Sequence, residues 1–124
     1  MNHQNILRQW FHAWLENDAG SIDHIFTDGI VYSECYGPEY HGIEQIKKWF
    51  AEWNKKGKVL EWTIKQMIQQ DSILVAEWRF KCIYNDIEDE FDGVTIAEFD
   101  NDMRISKLRE FQSKAEHYFP YEEW

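Results

Sequence analysis

Apolar side chains recur every three or four residues in two stretches of the first half of the chain. This spacing predicts one amphipathic helix over residues 5–17 and another over residues 43–54. Between them, residues 21–26 predict a short helix that Ser21 can cap. Gly57 ends the last of these helices, because glycine is favoured just past a helix end.

After Gly57 apolar and polar residues alternate, which is typical of strands with one buried face. Together with an earlier apolar run, the alternation predicts five strands. They cover residues 30–36, 60–69, 74–84, 91–99 and 103–111. Residues 37–42, which carry Gly and Pro, and the acidic residues 85–90 are predicted as loops.

The predicted elements follow the order helix, helix, strand, helix and then four strands. Helices followed by a run of antiparallel strands indicate an α+β fold. A long curved sheet with helices on one face leaves a concave space between the layers, where pockets commonly form. No Gly-rich or Pro-rich linker and no repeat interrupts the sequence, so residues 1–124 are predicted as a single domain.

Composition and charge limit the kinds of binding partner that are expected for this chain. The chain carries 13 Lys and Arg against 23 Asp and Glu, a formal net charge of −10. Nucleic acid binding needs cations that replace counterions on phosphates, and an anionic membrane surface repels an acidic protein, so neither partner is expected. Aromatic residues make up 17% of the sequence, which argues against disorder.

The cysteines and the first residues of the chain indicate the cell compartment in which the protein is expected. Cys35 and Cys82 allow one disulfide or, in a reducing cytosol, two buried thiols. The first residues lack the basic start and apolar run of a signal peptide, and no segment has the length of a membrane helix. A cytoplasmic location is therefore expected.

Three segments carry a resemblance to a known family. Residues 10–26 give a first helix followed by DAGSIDHIF, residues 26–50 read FTDGIVYSECYGPEYHGIEQIKKWF, and residues 91–111 read FDGVTIAEFDNDMRISKLREF. In their order and spacing they resemble the NTF2-like superfamily and, within it, the SnoaL-like group. The resemblance implies a cone-shaped α+β barrel with three N-terminal helices packed on a curved, mostly antiparallel sheet, and a homodimer formed through the sheet face.

The resemblance implies a range of activities. The superfamily includes steroid isomerases, polyketide cyclases, small dehydratases, epoxide hydrolases and transport factors, so the fold alone does not choose among them. For an enzyme of this kind, no cofactor is expected.

Glu34 is the first candidate for chemistry, because it lies inside an apolar and aromatic run. Counted from Phe26 without a gap, Glu34 falls where the steroid isomerases that this sequence resembles carry their carboxylate base. A carboxylate in an apolar cavity has a raised pKa and can move a proton next to a carbonyl. The alternative is a strand glutamate that faces solvent or pairs with Lys or Arg.

Other parts of that isomerase site differ here. Trp10 stands where the similar enzymes carry a helix tyrosine, and Thr95 stands near the position of their protonated strand acid. Both side chains can donate hydrogen bonds, but they do not match the acid–phenol pair, so steroid isomerisation itself is not expected. The sequence also shows neither the several pocket carboxylates of the epoxide hydrolases nor the two inward histidines of the dehydratases.

His41 is the second catalytic candidate. It follows Tyr40 in the predicted loop before Gly42, and a histidine at a cavity mouth can exchange protons near neutral pH. The alternative is a surface histidine. The histidines show no i, i+4 pairing and no neighbouring cysteine, so a metal site is not expected.

Large aromatic side chains lie on the inner faces of the predicted helices and strands. They fill the core or line a ligand pocket, and their number favours a pocket. Candidate ligand-binding residues are Trp10, Trp14, Tyr32, Trp49, Trp53, Trp62, Trp78 and Thr95. Such a pocket suits a small apolar or aromatic molecule, or a flat cationic one.

Three functional hypotheses follow from the sequence. In the first, the chain is a small-molecule enzyme, an isomerase, cyclase or lyase without a cofactor, in which Glu34 is the general base. In the second, it binds a ligand without catalysis, and Glu34 only orients that ligand. In the third, it docks another protein through its sheet face.

Overall fold

A computed structural model gives the structure of the chain and describes residues 2–122. Two long helices, a short helix and six strands follow one another along the sequence. Their bounds are α1 His3–Glu16, a single 3-10 turn Ala19–Ser21, α2 Ile22–Ile25, β1 Phe26–Ser33, β2 Glu39–His41, α3 Ile43–Lys56, β3 Gly57–Gln70, β4 Ile73–Tyr84, β5 Ile87–Phe99 and β6 Ile105–Ser113.

The six strands form one mixed sheet in the order β2-β1-β6-β5-β4-β3. All neighbouring strands pair antiparallel except β1 and β6, which are parallel. The three helices pack on one face, and β2 and β3 leave the sheet open at its two edges. The predicted α+β class, with helices on a mostly antiparallel sheet, is confirmed.

Two segments predicted as loops contain strands. Residues 37–42 include β2, which pairs with β1 through Val31 and His41. The prediction of a loop over residues 85–90 was wrong for residues 87–90, because β5 begins at Ile87, and residues 85 and 86 form the turn before it. Cross-strand charge pairs stabilise this acidic start, for example between Arg79 and Glu90 at 3.1 Å.

The inner face of β3 differs from the simple alternation that the sequence predicts. Strict alternation puts Leu60 on the same face as Trp62, but Leu60 is 41% exposed, while Val59 and Trp62 are buried. The pairing with β4 shifts between Val59 and Glu61. A β-bulge of this kind adds one residue to a strand, so the side chains beyond it change faces.

Trp10 lies at the centre of an aromatic core between the helices and the sheet. It is fully buried and makes edge-to-face contacts with Trp14, Phe26 and Tyr32. Such pairs contribute about 0.5–1.5 kcal/mol each beyond the area that they bury. The core therefore fixes α1 firmly against β1.

Gly93 allows an indole to cross the inner face of the sheet. It lies opposite Trp78 in the β4–β5 pairing. A Cβ atom at Gly93 would lie 2.4 Å from Cη2 of Trp78 and 2.5 Å from the carbonyl oxygen of Phe111. Any larger residue would therefore displace the Trp78 ring or the neighbouring strand.

Both cysteines are free thiols, with Cys35 half-buried and Cys82 buried. Of the two alternatives that the sequence left open, the structure has the thiols. Burial raises the pKa of the Cys35 thiol to about 12, so it stays protonated at neutral pH.

The segment after β6 is exposed through residue 122, including the rings of Tyr118, Phe119 and Tyr121. The rings of Tyr118 and Tyr121 are 76% and 98% exposed, and Trp124 lies outside the described residues. Within residues 2–122, no helix has both the length and the hydropathy to cross a membrane.

Candidate active site

A cavity opens between the helices and the inner face of the sheet. It encloses about 430 Å³ of empty space, including its open mouth. Five indole rings and two carboxyl groups are part of its wall. These residues are Trp14, Trp49, Trp53, Trp62, Trp78, Glu34 and Glu110. An apolar wall that contains a few polar groups is typical of small-molecule sites.

Glu110 is the more deeply buried of the two carboxyl groups. It is 9% exposed, and Tyr32 Oη donates a hydrogen bond of 2.5 Å to Glu110 Oε2. Trp10 Nε1 donates in turn to Tyr32 Oη at 3.0 Å. A chain of hydrogen bonds therefore runs from α1 through β1 to this carboxyl.

Burial raises the pKa of the Glu110 carboxyl to about 8. The hydrogen bond from Tyr32 lowers the pKa, and the nearby charge of Glu34 raises it. The effect of desolvation on the pKa is larger than that of the hydrogen bond. The charged carboxylate loses its water on burial, and hydrogen bonds replace that hydration only in part. Glu110 thus carries its proton at neutral pH and has an O–H to donate.

Sequence reasoning missed Glu110. The residues around it, from Ser106 to Gln112, are mostly polar and resemble a solvated strand. One signal could have found it. Side chains in a strand alternate between faces, and Leu108 is buried, so Glu110 two residues later lies on the same inner face.

Glu34 lies just beyond the end of β1, in a turn closed by two backbone hydrogen bonds. The N–H of Glu34 donates to the Pro38 carbonyl at 3.0 Å, and the N–H of Gly37 donates to the Glu34 carbonyl at 3.2 Å. Gly37 has a φ of 114°, a conformation that glycine adopts without strain. This turn holds the half-buried Glu34 side chain in the cavity wall.

Tyr40 positions the carboxylate of Glu34. Tyr40 Oη donates to Glu34 Oε2 at 2.9 Å, and its ring stacks on Trp49 with centroids 4.5 Å apart. Burial raises the pKa of Glu34, and the Tyr40 hydrogen bond opposes that rise. Glu34 is therefore held in one orientation and remains easier to ionise than Glu110, which is more deeply buried.

The cavity thus contains two carboxyl groups where the sequence indicated one. Glu34 and Glu110 come from strand ends that the parallel β1–β6 pairing brings together. Their surroundings separate their proton affinities, since Glu110 is enclosed and Glu34 is half open. Such a difference is how two carboxyls take the separate roles of acid and base.

Three predicted ligand-binding residues lie behind the cavity wall. Trp10 and Tyr32 are fully buried and reach the cavity through Glu110. Thr95 is also fully buried and accepts a hydrogen bond of 2.8 Å from Trp78 Nε1. The other five predicted aromatic residues form part of the wall itself.

His41 lies outside the cavity. Its side chain is 65% exposed, and its Nε2 atom lies 2.8 Å from Glu39 Oε2 on the same edge strand. It does not form part of the cavity wall. Among residues 2–122, no group of three or more His, Cys, Asp or Glu side chains is placed to hold a metal ion.

The sequence model of the SnoaL-like domain matches residues 7–108. The chain belongs to the SnoaL-like domain family. This match agrees with the resemblance to the NTF2-like superfamily that the sequence indicated, and it covers most of the helices and strands of the fold. Among curated proteins, no sequence matches this SnoaL-like domain.

Solved structures share its fold. An LEH-like epoxide hydrolase from M. tuberculosis matches with a TM-score of 0.79 and 15% identity, over 90% of this chain and 82% of its own. A protein with a ketosteroid isomerase-like fold from Catenulispora acidiphila, in complex with trimethylamine, matches with a TM-score of 0.75 and 17% identity, over 86% and 83%. An NTF2-like protein of unknown function from Burkholderia pseudomallei matches with a TM-score of 0.76 and 12% identity, over 91% and 92%. At these identities the likeness concerns the fold.

Proposed function

We propose that this SnoaL-like domain is an enzyme that needs no cofactor and moves a proton next to the carbonyl group of a small apolar molecule. Isomerases, cyclases and some lyases share this step. The observation that supports the proposal is the pair of Glu34 and Glu110 in one apolar cavity, with surroundings that give the two carboxyls different proton affinities.

In the proposed step, the Glu34 carboxylate takes a proton from the carbon next to the substrate carbonyl. The electrons of that C–H bond form a carbon–carbon double bond, and negative charge moves to the carbonyl oxygen. Glu110 donates its O–H to this oxygen and stabilises the charge. Glu34 then returns the proton to the same or a neighbouring carbon.

Tyr32 and Trp10 act through Glu110 as positioning residues. The hydrogen bond of Tyr32 holds one carboxyl oxygen, and Trp10 holds the Tyr32 hydroxyl in turn. The Glu110 side chain therefore keeps one orientation without reorganisation during the reaction. Preorganised donors of this kind stabilise developing charge more effectively than water does.

Deuterium exchange tests the proposal without knowledge of the natural substrate. The domain is incubated in D₂O with small cyclic ketones, and NMR follows loss of the proton signal next to the carbonyl. We expect Glu34→Gln to slow the exchange about 10²–10⁴-fold, the contribution typical of general acid–base catalysis. Glu110→Gln, which keeps a hydrogen-bond donor, should slow it less.

Glu39→Gln is the matched control, because Glu39 lies in the neighbouring strand and its carboxylate pairs with His41 outside the cavity wall. Its exchange rate should equal that of the wild type. Exchange that continues at the wild-type rate in Glu34→Gln would exclude Glu34 as the base.

The second candidate function is ligand binding without catalysis. Two observations favour it: the Tyr40 hydrogen bond occupies one oxygen of Glu34, and a structure of similar fold is in complex with trimethylamine. If ketones bind to the wild type and no exchange occurs over days, the domain is a binding module.

A further inference from the structure

The cavity that contains Glu110 is too narrow to hold a ligand while its wall stays in place. Of its empty space, only about 40 Å³ is wide enough for water, which is room for no more than a few water molecules. Small-molecule sites have volumes of about 300–1,000 Å³. A molecule of that size therefore reaches Glu110 only if part of the wall moves.

A wider space adjoins this inner cavity, between the turn after β1, the end of α3 and the facing ends of β4 and β5. We call it the outer groove, and it lies between Tyr40, Lys56, Tyr84 and Lys114. About 990 Å³ of the groove is wide enough for water, which is enough for a small molecule. Glu110 lines the inner cavity and does not line the groove.

Among residues 2–122, four side chains line both spaces, and three of them are fixed by their surroundings. Trp49 and Trp53 belong to α3 and pack against Trp14, with ring centroids 4.9 Å and 5.4 Å away. Glu34 is held by its hydrogen bond from Tyr40.

Tyr36 is the fourth shared side chain and differs from the other three. It lies in the turn between β1 and β2, outside both strands, and is 48% exposed. Its side chain can therefore rotate without breaking a helix or a strand pairing.

The ring of Tyr36 extends from the inner wall to the rim of the groove. It packs edge-to-face on Phe91, which lines the inner cavity, with centroids 5.8 Å apart. Its hydroxyl donates a hydrogen bond of 2.9 Å to Asp89 Oδ2, and Asp89 lines the outer groove. The ring thus lies at the boundary between the two spaces.

Lys114 holds the same ring from the end of β6. Its Nζ atom lies 2.8 Å from Asp89 Oδ2, and 5.5 Å and 5.2 Å from the ring centroids of Tyr36 and Phe91. The side chains of Asp89 and Lys114 are 30% and 46% exposed. Ion pairs at the surface are weak because water competes for both partners. These contacts can therefore open without unfolding of the domain.

We propose that Tyr36 is a gate between the outer groove and the inner cavity, that Asp89 and Lys114 hold it closed, and that its rotation admits an uncharged aromatic molecule to Glu110. With the ring turned outward, the inner cavity and the groove join into one site of small-molecule size. The inference goes beyond the proposed function, because it concerns entry to the cavity and holds with or without catalysis.

Stopped-flow fluorescence with N-phenyl-1-naphthylamine tests the gate. This uncharged aromatic probe fluoresces strongly only after it leaves water. In the wild type, we expect the rate of the fluorescence rise to level off at high probe concentration, because opening of Tyr36 then limits entry. In Tyr36→Ala, which removes the ring, the rate should rise linearly with concentration. A linear rise in the wild type, levelling at the wild-type rate in Tyr36→Ala, or no binding to either protein overturns the inference.

Variants of the holding contacts test how the gate is kept closed. Tyr36→Phe keeps the ring and loses the hydroxyl, and Asp89→Asn keeps the shape and loses the charge. Each should raise the limiting rate about tenfold, the effect of losing a hydrogen bond to a charged group. The double variant should be no faster than either single variant, because both remove the same bond. Lys114→Met should also raise the limiting rate.

Asp92→Asn is the matched control. Asp92 belongs to the same strand as Asp89 and also pairs with a lysine, Lys65 at 2.9 Å, but it lines neither space. Its limiting rate should equal that of the wild type. If Asp89→Asn is no faster than Asp92→Asn, the inference is overturned.

The result is separable from the proposed function. Glu34→Gln should lose deuterium exchange of ketones and keep a probe rate that levels off. If the wild type shows levelling without exchange, Tyr36 acts as a gate and the proposed proton transfer fails. If exchange occurs and the probe rate rises linearly, the proton transfer stands and the gate fails.

Discussion

Burial of Glu110 couples one proton to the stability of the fold. Desolvation holds the pKa of this carboxyl at about 8, whereas a glutamate in an unfolded chain ionises near about 4.3. Between these values the unfolded chain has released its proton and the folded chain has kept it. The free energy of unfolding therefore falls as pH rises through this window.

Glu110→Gln should remove this dependence. In the wild type, Glu110 lowers the free energy of unfolding by about 1.4 kcal/mol per pH unit within the window. We expect urea unfolding at pH 5, 6.5 and 8 to give a shallower slope for Glu110→Gln, and a variant more stable than the wild type at pH 8. Glu39→Gln, at an exposed position, should keep the wild-type slope. An unchanged slope in Glu110→Gln would contradict the pKa assignment.

Tyr32→Phe should destabilise the domain by about 1–3 kcal/mol, because it leaves Glu110 and the indole N–H of Trp10 without their shared partner. It should also raise the pKa of Glu110 further, since the Tyr32 hydrogen bond lowers it. Chemical denaturation and a carbon-13 titration of the Glu110 carboxyl check both effects. Tyr40→Phe is the control, because Tyr40 bonds to Glu34 and should leave the Glu110 titration nearly unchanged.

The two carboxyls differ in how far the sequence could predict them. Glu34 stands out because its neighbours are apolar and aromatic, so a local pattern was enough. Glu110 has polar neighbours, and its burial depends on Tyr32 and Trp10, which are distant in sequence. Local composition carries no information on such a contact.

Gly93 leaves room for the ring of Trp78, which forms part of the cavity wall. Gly93→Ala would place a methyl group 2.4 Å from the Trp78 ring, which is buried and cannot move freely. We expect a loss of about 1–3 kcal/mol in unfolding free energy, the usual cost of overpacking. Near-ultraviolet circular dichroism should also change as the indole shifts. Gly29→Ala is the control, because no atom lies within 4 Å of its added Cβ, and its stability should change little.

Helices were easier to predict than strands in this chain. The periodicity of α1 and α3 is local, so their bounds were found within a few residues. The bulge in β3, the short β2 and the early start of β5 depend on pairing with other strands. Pairing partners are distant in sequence, and turn chemistry alone does not reveal them.

The outer face of the sheet supports the homodimer that the family resemblance implied, and we propose it as the assembly of the domain. Val75 lies beside Ile96, and Val94 lies beside the half-exposed Phe111 in the strand pairing. These apolar neighbours form one patch that a second copy could cover.

Sedimentation equilibrium tests the assembly. The wild type should sediment as a dimer, and Phe111→Asp should shift it to monomers, because a charge in the patch loses its water on association. Tyr121→Asp, at a fully solvated position, should leave the dimer intact. A monomeric wild type would contradict the proposal.

The parallel pairing of β1 with β6 joins segments from opposite ends of the sequence. The β3–β4–β5 hairpins need only short loops to close, whereas β1 and β6 can meet only after most of the chain between them is in place. Long-range pairing of this kind slows folding, because loop closure precedes its stabilising contacts. Glu34 follows β1 and Glu110 lies in β6, so the two carboxyls of the proposed acid–base pair come together only when β1 pairs with β6. Chains that have formed only the hairpins would bury aromatic rings and lack the proposed reactive centre.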